Sequence, residues 1–246
     1  MNHVLALEAA TGMASLALVQ ADGTLVAEHT FAARRTLAQR LLPAAERLLA
    51  DGELTPAAVD AVAVGLGPGS FTSLRVVLAT AKGIALAGGL PLLGVGSLEV
   101  LAAGAPLLAR KPVCAVIAAP KRHVYAGLYA RLSDVQTNCL FGPELLAIEE
   151  LAARLGALEQ EIVVAGALSE ADRAALAAAG CVFVPPVYGV PRAAVTAQLA
   201  LPRLLRGERH DPHTLSPLYI HPSEAEVRFG RTLANPAGPA ENHARP

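Results

Sequence analysis

Tryptophan is absent from this chain, cysteine occurs three times, and only 17% of its 246 residues are charged. The cysteines, Cys114, Cys139 and Cys181, are odd in number and far apart. That argues against a disulfide framework and for reduced, buried thiols in a cytoplasmic protein. The formal charge is −1 and no run of five or more basic residues occurs. Gripping a phosphate backbone is therefore not its main work, and any nucleic acid is met through a partner. The uncharged stretch 83–98 has 16 residues broken by five glycines and a proline, too short and interrupted to span a bilayer. MNHVLALEAA has no basic segment ahead of its apolar run, unlike a signal peptide. Seven histidines supply no H-x-x-x-H or H-E-x-x-H pair, and no Ser/His/Asp or Cys/His set can be assembled, so no metal site and no catalytic residue is expected. His210 and His213, framing HDPH, read as solvent-facing.

What is there is apolar and alternating. Residues 3–10, 13–20 and 24–31 read as strands, the second pair joined at Asp22-Gly23, and a helix follows over 37–49. Pro43 must kink that helix or sit in its first turn. A strand over 60–64, a loop, a helix over 71–87 stopped at Gly88-Gly89, a further strand in PLLGVGS and a short helix from Ser97 complete the first half. The second half repeats the theme. Paired strands flank a polar turn at Lys121-Arg122, and buried strands in EIVVAG and CVFVP are separated by a helix opened by a capping box from Ser169 to Asp172. A last helix covers 191–205. The pattern is a duplicated α/β architecture with a cleft between lobes. The boundaries are 1–108 for an N-terminal lobe, 109–228 for a C-terminal lobe, and 229–246 for a disordered tail.

Two segments carry most information. GLGPGSFTSLR, Gly65 to Arg75, ends a strand with three glycines and a proline and starts a helix. It lacks the lysine of a Walker loop and the spacing of a dinucleotide fingerprint. Its spacing leaves a tight structural turn, an anion site at the helix N-terminus and a partner surface all open. The helix after it has Arg75 and Lys82 as its only charges, seven apart on one stripe. Ala79, Gly83 and Ala87 form a row of small residues, although Gly83 costs about 1 kcal/mol relative to alanine. Such a helix is buried in its own domain or packed partly against another chain.

LALEAATGMASLAL, AQRLLPAAERLL, VAVGLGPGSFTSLRVVLATAKGIAL, PLLGVGSLEVLA and SPLYI follow the order and spacing of the bacterial TsaB (YeaZ) family. The resemblance is dense over 3–105 and thinner over 112–220. It implies an actin/sugar-kinase/Hsp70-like (ribonuclease H-like) two-lobe fold. It implies a cytoplasmic, non-catalytic scaffold in the formation of threonylcarbamoyl-adenosine beside the anticodon of tRNAs that read codons beginning with A. The implied partners are the catalytic paralogue TsaD, as a heterodimer, and the ATPase TsaE, with a homodimer when alone, tRNA only through the complex, and no membrane. Under that resemblance Gly67, Pro68 and Gly69 set the turn, Ser70 or Thr72 caps the helix, and Arg75 reaches a carbonyl or carboxylate. Phe71, Leu78, Ala79, Lys82 and Gly83, with Leu41 and Leu48 of the 37–49 helix, complete the docking face. ATP or ADP would sit at the shared interface, with Glu8 and Thr11 a nucleotide vestige.

The chain departs from the family pattern in ways that bear on chemistry. Glu8-Ala9-Ala10-Thr11 stands where Asp-Thr-Ala-Thr is common, and Ala118-Ala119-Pro120 stands where a carboxylate is usual. Arg35-Thr36 replaces a histidine, and Ser73 a glycine. Losing one of two carboxylates weakens independent nucleotide chemistry. The competing readings are an ATP-dependent kinase or transferase of the same fold and, further behind, a peptidase.

Overall fold

The computed structural model describes residues 1–32, 35–106, 111–133 and 136–220. The expected lobe boundary at 108/109 and the tail after 229 lie outside the described residues. The elements are β1 (His3–Glu8), β2 (Met13–Gln20), β3 (Leu25–Ala32), α1 (Leu37–Asp51), β4 (Ala61–Gly65), α2 (Phe71–Gly88), β5 (Leu92–Val95) and α3 (Ser97–Ala103). They continue with β6 (Val113–Ala119), β7 (His123–Arg131), β8 (Thr137–Ala147), α4 (Ile148–Gly156), β9 (Val163–Ala165), α5 (Glu170–Ala178), β10 (Val182–Phe183) and α6 (Ala193–Leu205).

Two five-stranded sheets run β3-β2-β1-β4-β5 and β10-β9-β6-β7-β8. Read from their third strands, the two orders are the same: an antiparallel three-strand meander, then two parallel strands. Alternation in the sequence dictates which face each side chain meets. In β1 and β4, Leu5, Leu7, Val62 and Val64 point to a core filled by α1 and α2. The intervening Ala6, Ala61 and Ala63 face Ala193, Ala197 and Ala200 of α6. Small residues on both sides let that helix lie close to the sheet. Leu98 and Leu101 of α3 pack with Val113, Ala115 and Tyr129, joining the two sheets, while α4 and α5 cover the far face of the second.

Several expectations change here. Helix α6 and the segment after it belong with the first sheet, although they follow the second in sequence. The reason is polar as well as apolar: Ser15 Oγ accepts the Ala193 N–H at 3.0 Å, and the Glu28 carboxylate of β3 accepts the Ala194 N–H at 3.2 Å and pairs with Arg192. A carboxylate at a helix N-terminus is favourable for both unpaired N–H groups and dipole. Pro43 lies in the interior of α1, past its first turn. Strand β8 and helix α4 were not expected. Cys139 is exposed while Cys114 and Cys181 are buried. His210 is half-buried, its Nδ1 accepting the Gly94 N–H at 3.1 Å, whereas His213 is exposed.

Candidate docking loop and helix

The loop between β4 and α2 is stitched to the body of the protein at several points. Leu66 N–H donates to Val95 O at 2.8 Å, Ser97 N–H to Gly67 O at 2.7 Å, and Leu218 N–H to Leu66 O at 2.8 Å. Gly67, at φ +93°, precedes a cis peptide to Pro68, and both residues are buried. Positive φ is the reason for glycine at 67. At 69 the reason is proximity: a β-carbon would stand 2.1 Å from Ala10 O. Two backbone donors that an anion cradle would need are turned inward, Gly67 N–H to Ser97 Oγ at 3.0 Å and Ser70 N–H to Ala10 O at 2.8 Å.

Glu8 lies beneath this loop, 1% exposed. Its carboxylate accepts the Ala10 N–H at 2.8 Å and the Ser97 hydroxyl at 3.1 and 3.0 Å on its two oxygens. Burial pushes it up to about 7 against the lowering effect of those bonds. Glu8, Ser97 and Gly67 thus form one chain of hydrogen bonds fastening the ends of β1, β4 and β5 together. Thr11 Oγ1 accepts the Met13 N–H at 3.2 Å within its turn. Ser97 is the residue that sequence reasoning missed. Lying 89 positions from Glu8, it offered only the look of a helix start.

Helix α2 presents two faces. Val77, Leu78, Ala81 and Ala85 are buried against the first sheet and α1, and Leu74 in the cluster around α3. Thr72, Arg75, Ala79, Gly83, Leu86 and Ala87 are exposed, with Lys82 half-buried beside them. A β-carbon on Gly83 would meet no atom within 4 Å. By length and composition alone α2 is apolar enough to cross a membrane, a property the uncharged-stretch reading overlooked because Arg75 and Lys82 interrupt it. Its packed leucine face is that of a core helix.

The expected site residues divide accordingly. Leu41 and Leu48, 1% and 0% exposed, and Leu78, 5% exposed, belong to this chain's own core and offer no surface to a partner. The outward leucine of α1 is Leu42. Neither Ser70 nor Thr72 caps α2 through its side chain; Ser70 Oγ bonds Ser73 Oγ at 3.0 Å instead. Arg75 reaches an aromatic pair rather than a carbonyl or carboxylate. Its guanidinium lies 4.1 Å above the Phe71 ring centre and its Nε donates to the Tyr219 hydroxyl at 3.2 Å. Tyr219, from SPLYI near the other end of the chain, packs on Phe71 with ring centres 5.1 Å apart. Among the described residues no group of three or more His, Cys, Asp or Glu side chains is placed to hold a metal ion.

A repeated meander-plus-parallel sheet is the framework of the actin, sugar-kinase and Hsp70-like proteins, and comparison with known proteins narrows that class. A family model described as TsaD, tRNA N6-adenosine threonylcarbamoyltransferase, matches residues 29–226. The chain belongs to this family, on its TsaB (YeaZ) branch. It is 39% identical over 103 residues to the Escherichia coli tRNA threonylcarbamoyladenosine biosynthesis protein TsaB, covering 42% of this chain and 44% of that one. To the Haemophilus influenzae protein of the same description it is 37% identical over 124 residues, 50% of this chain and 51% of the other. The match thus spans about half the length of these curated relatives. The solved structure of YeaZ from Pseudomonas aeruginosa superposes with a TM-score of 0.74 at 28% identity, covering 89% of this chain and all of that one.

Proposed function

We propose that this chain is a non-catalytic docking subunit in tRNA threonylcarbamoyladenosine biosynthesis, pairing with the catalytic paralogue TsaD through the open face of α2. In this reading it works in the cytoplasm, TsaE joins the pair, tRNA is met only by the assembly, and the chain self-associates through the same face when TsaD is missing. ATP or ADP binds at the shared interface. The observation that carries the reading is the uncovered stripe of Ala79, Gly83 and Ala87, flanked by Arg75, Lys82 and the half-exposed Leu86. Small residues allow a second backbone to approach closely, and the flanking charges add orientation more than affinity. The rigidly fastened loop below holds that stripe in place without needing the partner. Support for the non-catalytic part comes from Glu8, whose carboxylate is committed to internal hydrogen bonds, and from Ala118, which brings no second carboxylate to the β6–β7 turn.

Size-exclusion chromatography with light scattering tests it, on the chain alone and with TsaD. The unaltered chain shifts into a heterodimer. Gly83→Phe, which meets no atom of its own fold at the β-carbon, stays folded by circular dichroism and fails to pair. A parent chain that ignores TsaD, or a variant that pairs as well as the parent, overturns the proposal. Removing the chain from cells should also deplete threonylcarbamoyl-adenosine in total tRNA.

A further inference from the structure

Beside the β4–α2 loop lies a cavity of about 350 Å³, lined also by α3, β7 and β8. Gly67, Pro68 and Gly96 form one wall, and Thr137, Cys139, Gly142 and Pro143 of β8 form the opposite one. That volume suits a small organic molecule. Its polar lining is one-sided. Glu99 of α3 projects a carboxylate there, and among the described residues that line the cavity none is Lys, Arg or His. The Thr137 hydroxyl donates to Glu99 Oε1 at 3.0 Å, which orients the carboxylate. The guanidinium of Arg203, whose field Glu99 feels, is engaged by Glu208 and Gly94 O and does not line the cavity. Glu144, nearby on β8, is paired with Arg154.

Two neighbouring groups register the same negative field. The Tyr129 hydroxyl is held above its ordinary range by burial first and then by Cys139 and Glu99. The Cys139 thiol is raised by burial and then by Glu99 and Glu144. A phosphate or carboxylate entering this space would meet Glu99 with no cation among the described lining residues to offset it. A neutral apolar molecule would strip water from the carboxylate and give nothing back. A positively charged donor suits it best, adding charge complementarity to the hydrogen bond.

The geometry points to a binding site for a small organic ammonium compound, a primary amine on a compact apolar body, with Glu99 as its counter-ion and Leu98, Pro143 and Leu218 as its apolar contacts. This site is separate from the exposed face of α2 and does not depend on the docking reading. Its occupant would bridge the two sheets and touch Gly67 and Pro68, the residues that launch α2.

Cys139 gives a direct readout, since it lines the cavity and is exposed, whereas Cys114 and Cys181 are buried. The full chain is alkylated with iodoacetamide at mildly alkaline pH, with modification at Cys139 followed by mass spectrometry. Benzylamine, benzyl alcohol and benzoate, alike in size, are added at matched concentrations. Benzylamine is expected to slow alkylation saturably, with an apparent affinity at least about fivefold above that of the alcohol, and benzoate to give no protection. Glu99→Gln is expected to abolish the preference for the amine while leaving the melting temperature of the chain close to that of the parent. Equal protection by all three compounds, no protection by benzylamine, or an undiminished amine preference in Glu99→Gln overturns the assignment. Should that variant not fold, the ranking of the three probes on the unaltered chain decides by itself.

Discussion

The two sheets share one strand order but fasten their helices differently. In the first, the strand-to-helix loop after β4 is pinned from below by Glu8 and Ser97, and the long helix it launches has no side-chain cap. In the second, the segment after β9 leads to a nine-residue helix, α5, which begins with a side-chain cap: Asp172 N–H donates to Ser169 Oγ at 3.2 Å, while the Asp172 carboxylate accepts the Ser169 hydroxyl at 2.7 Å in place of the backbone bond of a full capping box. Only Leu176 of α5 is buried, and its surface is charged and self-sufficient. Duplication therefore produced one half whose helix is tied down at its base with an apolar side left open, and one whose helix needs nothing further. A helix held by its loop can leave a whole face free for another molecule.

Both halves keep a glycine pressed against a neighbouring backbone carbonyl, and this is where they should break most readily. In the first half it is Gly69 against Ala10 O; in the second, Gly166, where a β-carbon would lie 2.0 Å from Val116 O. Alanine at either position is expected to lower stability by about 3 kcal/mol or more, by urea unfolding, because backbone rather than a flexible side chain must move. A mild effect at 69 and a severe one at 166 would mean that the first loop is less fixed than its hydrogen bonds imply.

A pH dependence separates the halves next. Glutamate in an unfolded chain ionises near 4.5, while buried Glu8 does so at about 7. Between those values the folded state holds the extra proton, so stability declines as pH rises from about 4.5 to 7 and the full penalty is present above that. Glu8→Gln, which keeps an acceptor for Ala10 N–H and Ser97, should remove that decline, narrowing the difference between the two ends of the window by about 3 kcal/mol. Parallel stability curves for parent and variant over this range would show that Glu8 is ionised in its buried site.

The serines compare the two fastening methods directly. Ser97→Ala leaves the Gly67 N–H without its partner and Glu8 with the Ala10 N–H alone of the bonds described above, and is expected to cost about 2 kcal/mol, whereas Ser169→Ala removes an exposed cap worth about 1 kcal/mol. Equal losses would make the buried network no stronger than a surface cap. The smallest effect carries the opposite sign. Gly83→Ala, on the open face of α2, should raise the unfolding free energy by a little under about 1 kcal/mol through helix propensity alone. A destabilised variant would place that position against something in the fold.

Much of the framework was legible along the chain. Residues 13–20 are β2 throughout, Gly89 closes α2 in the left-handed conformation, and Ser169 caps α5. Strand β8 was not legible. It contains Asn, Gly and Pro, its pairing with β7 shifts register near Leu128, and as an edge strand it tolerates a proline that a central one would refuse. Helix α4, although amphipathic, went unread because it follows that irregular strand without a break. For the candidate site, the outward stripe of α2 could be read from helical periodicity, but Ser97 and Tyr219 could not, since their partners are distant in sequence.

By itself the sequence determined the local shapes: alternation made the strands, small residues at four-residue spacing made a smooth helix side, and glycines made the bend before it. Tertiary structure decided which of those features face inward. It returned α6 to the first sheet through Ser15 and Glu28, buried Leu41 and Leu48 while leaving Leu42 outside, and turned Glu8 from a turn carboxylate into a buried group that holds its proton to about pH 7. The physical reason is that periodicity acts over a few residues, whereas desolvation and hydrogen-bond pairing depend on whichever distant segments the packed chain brings together.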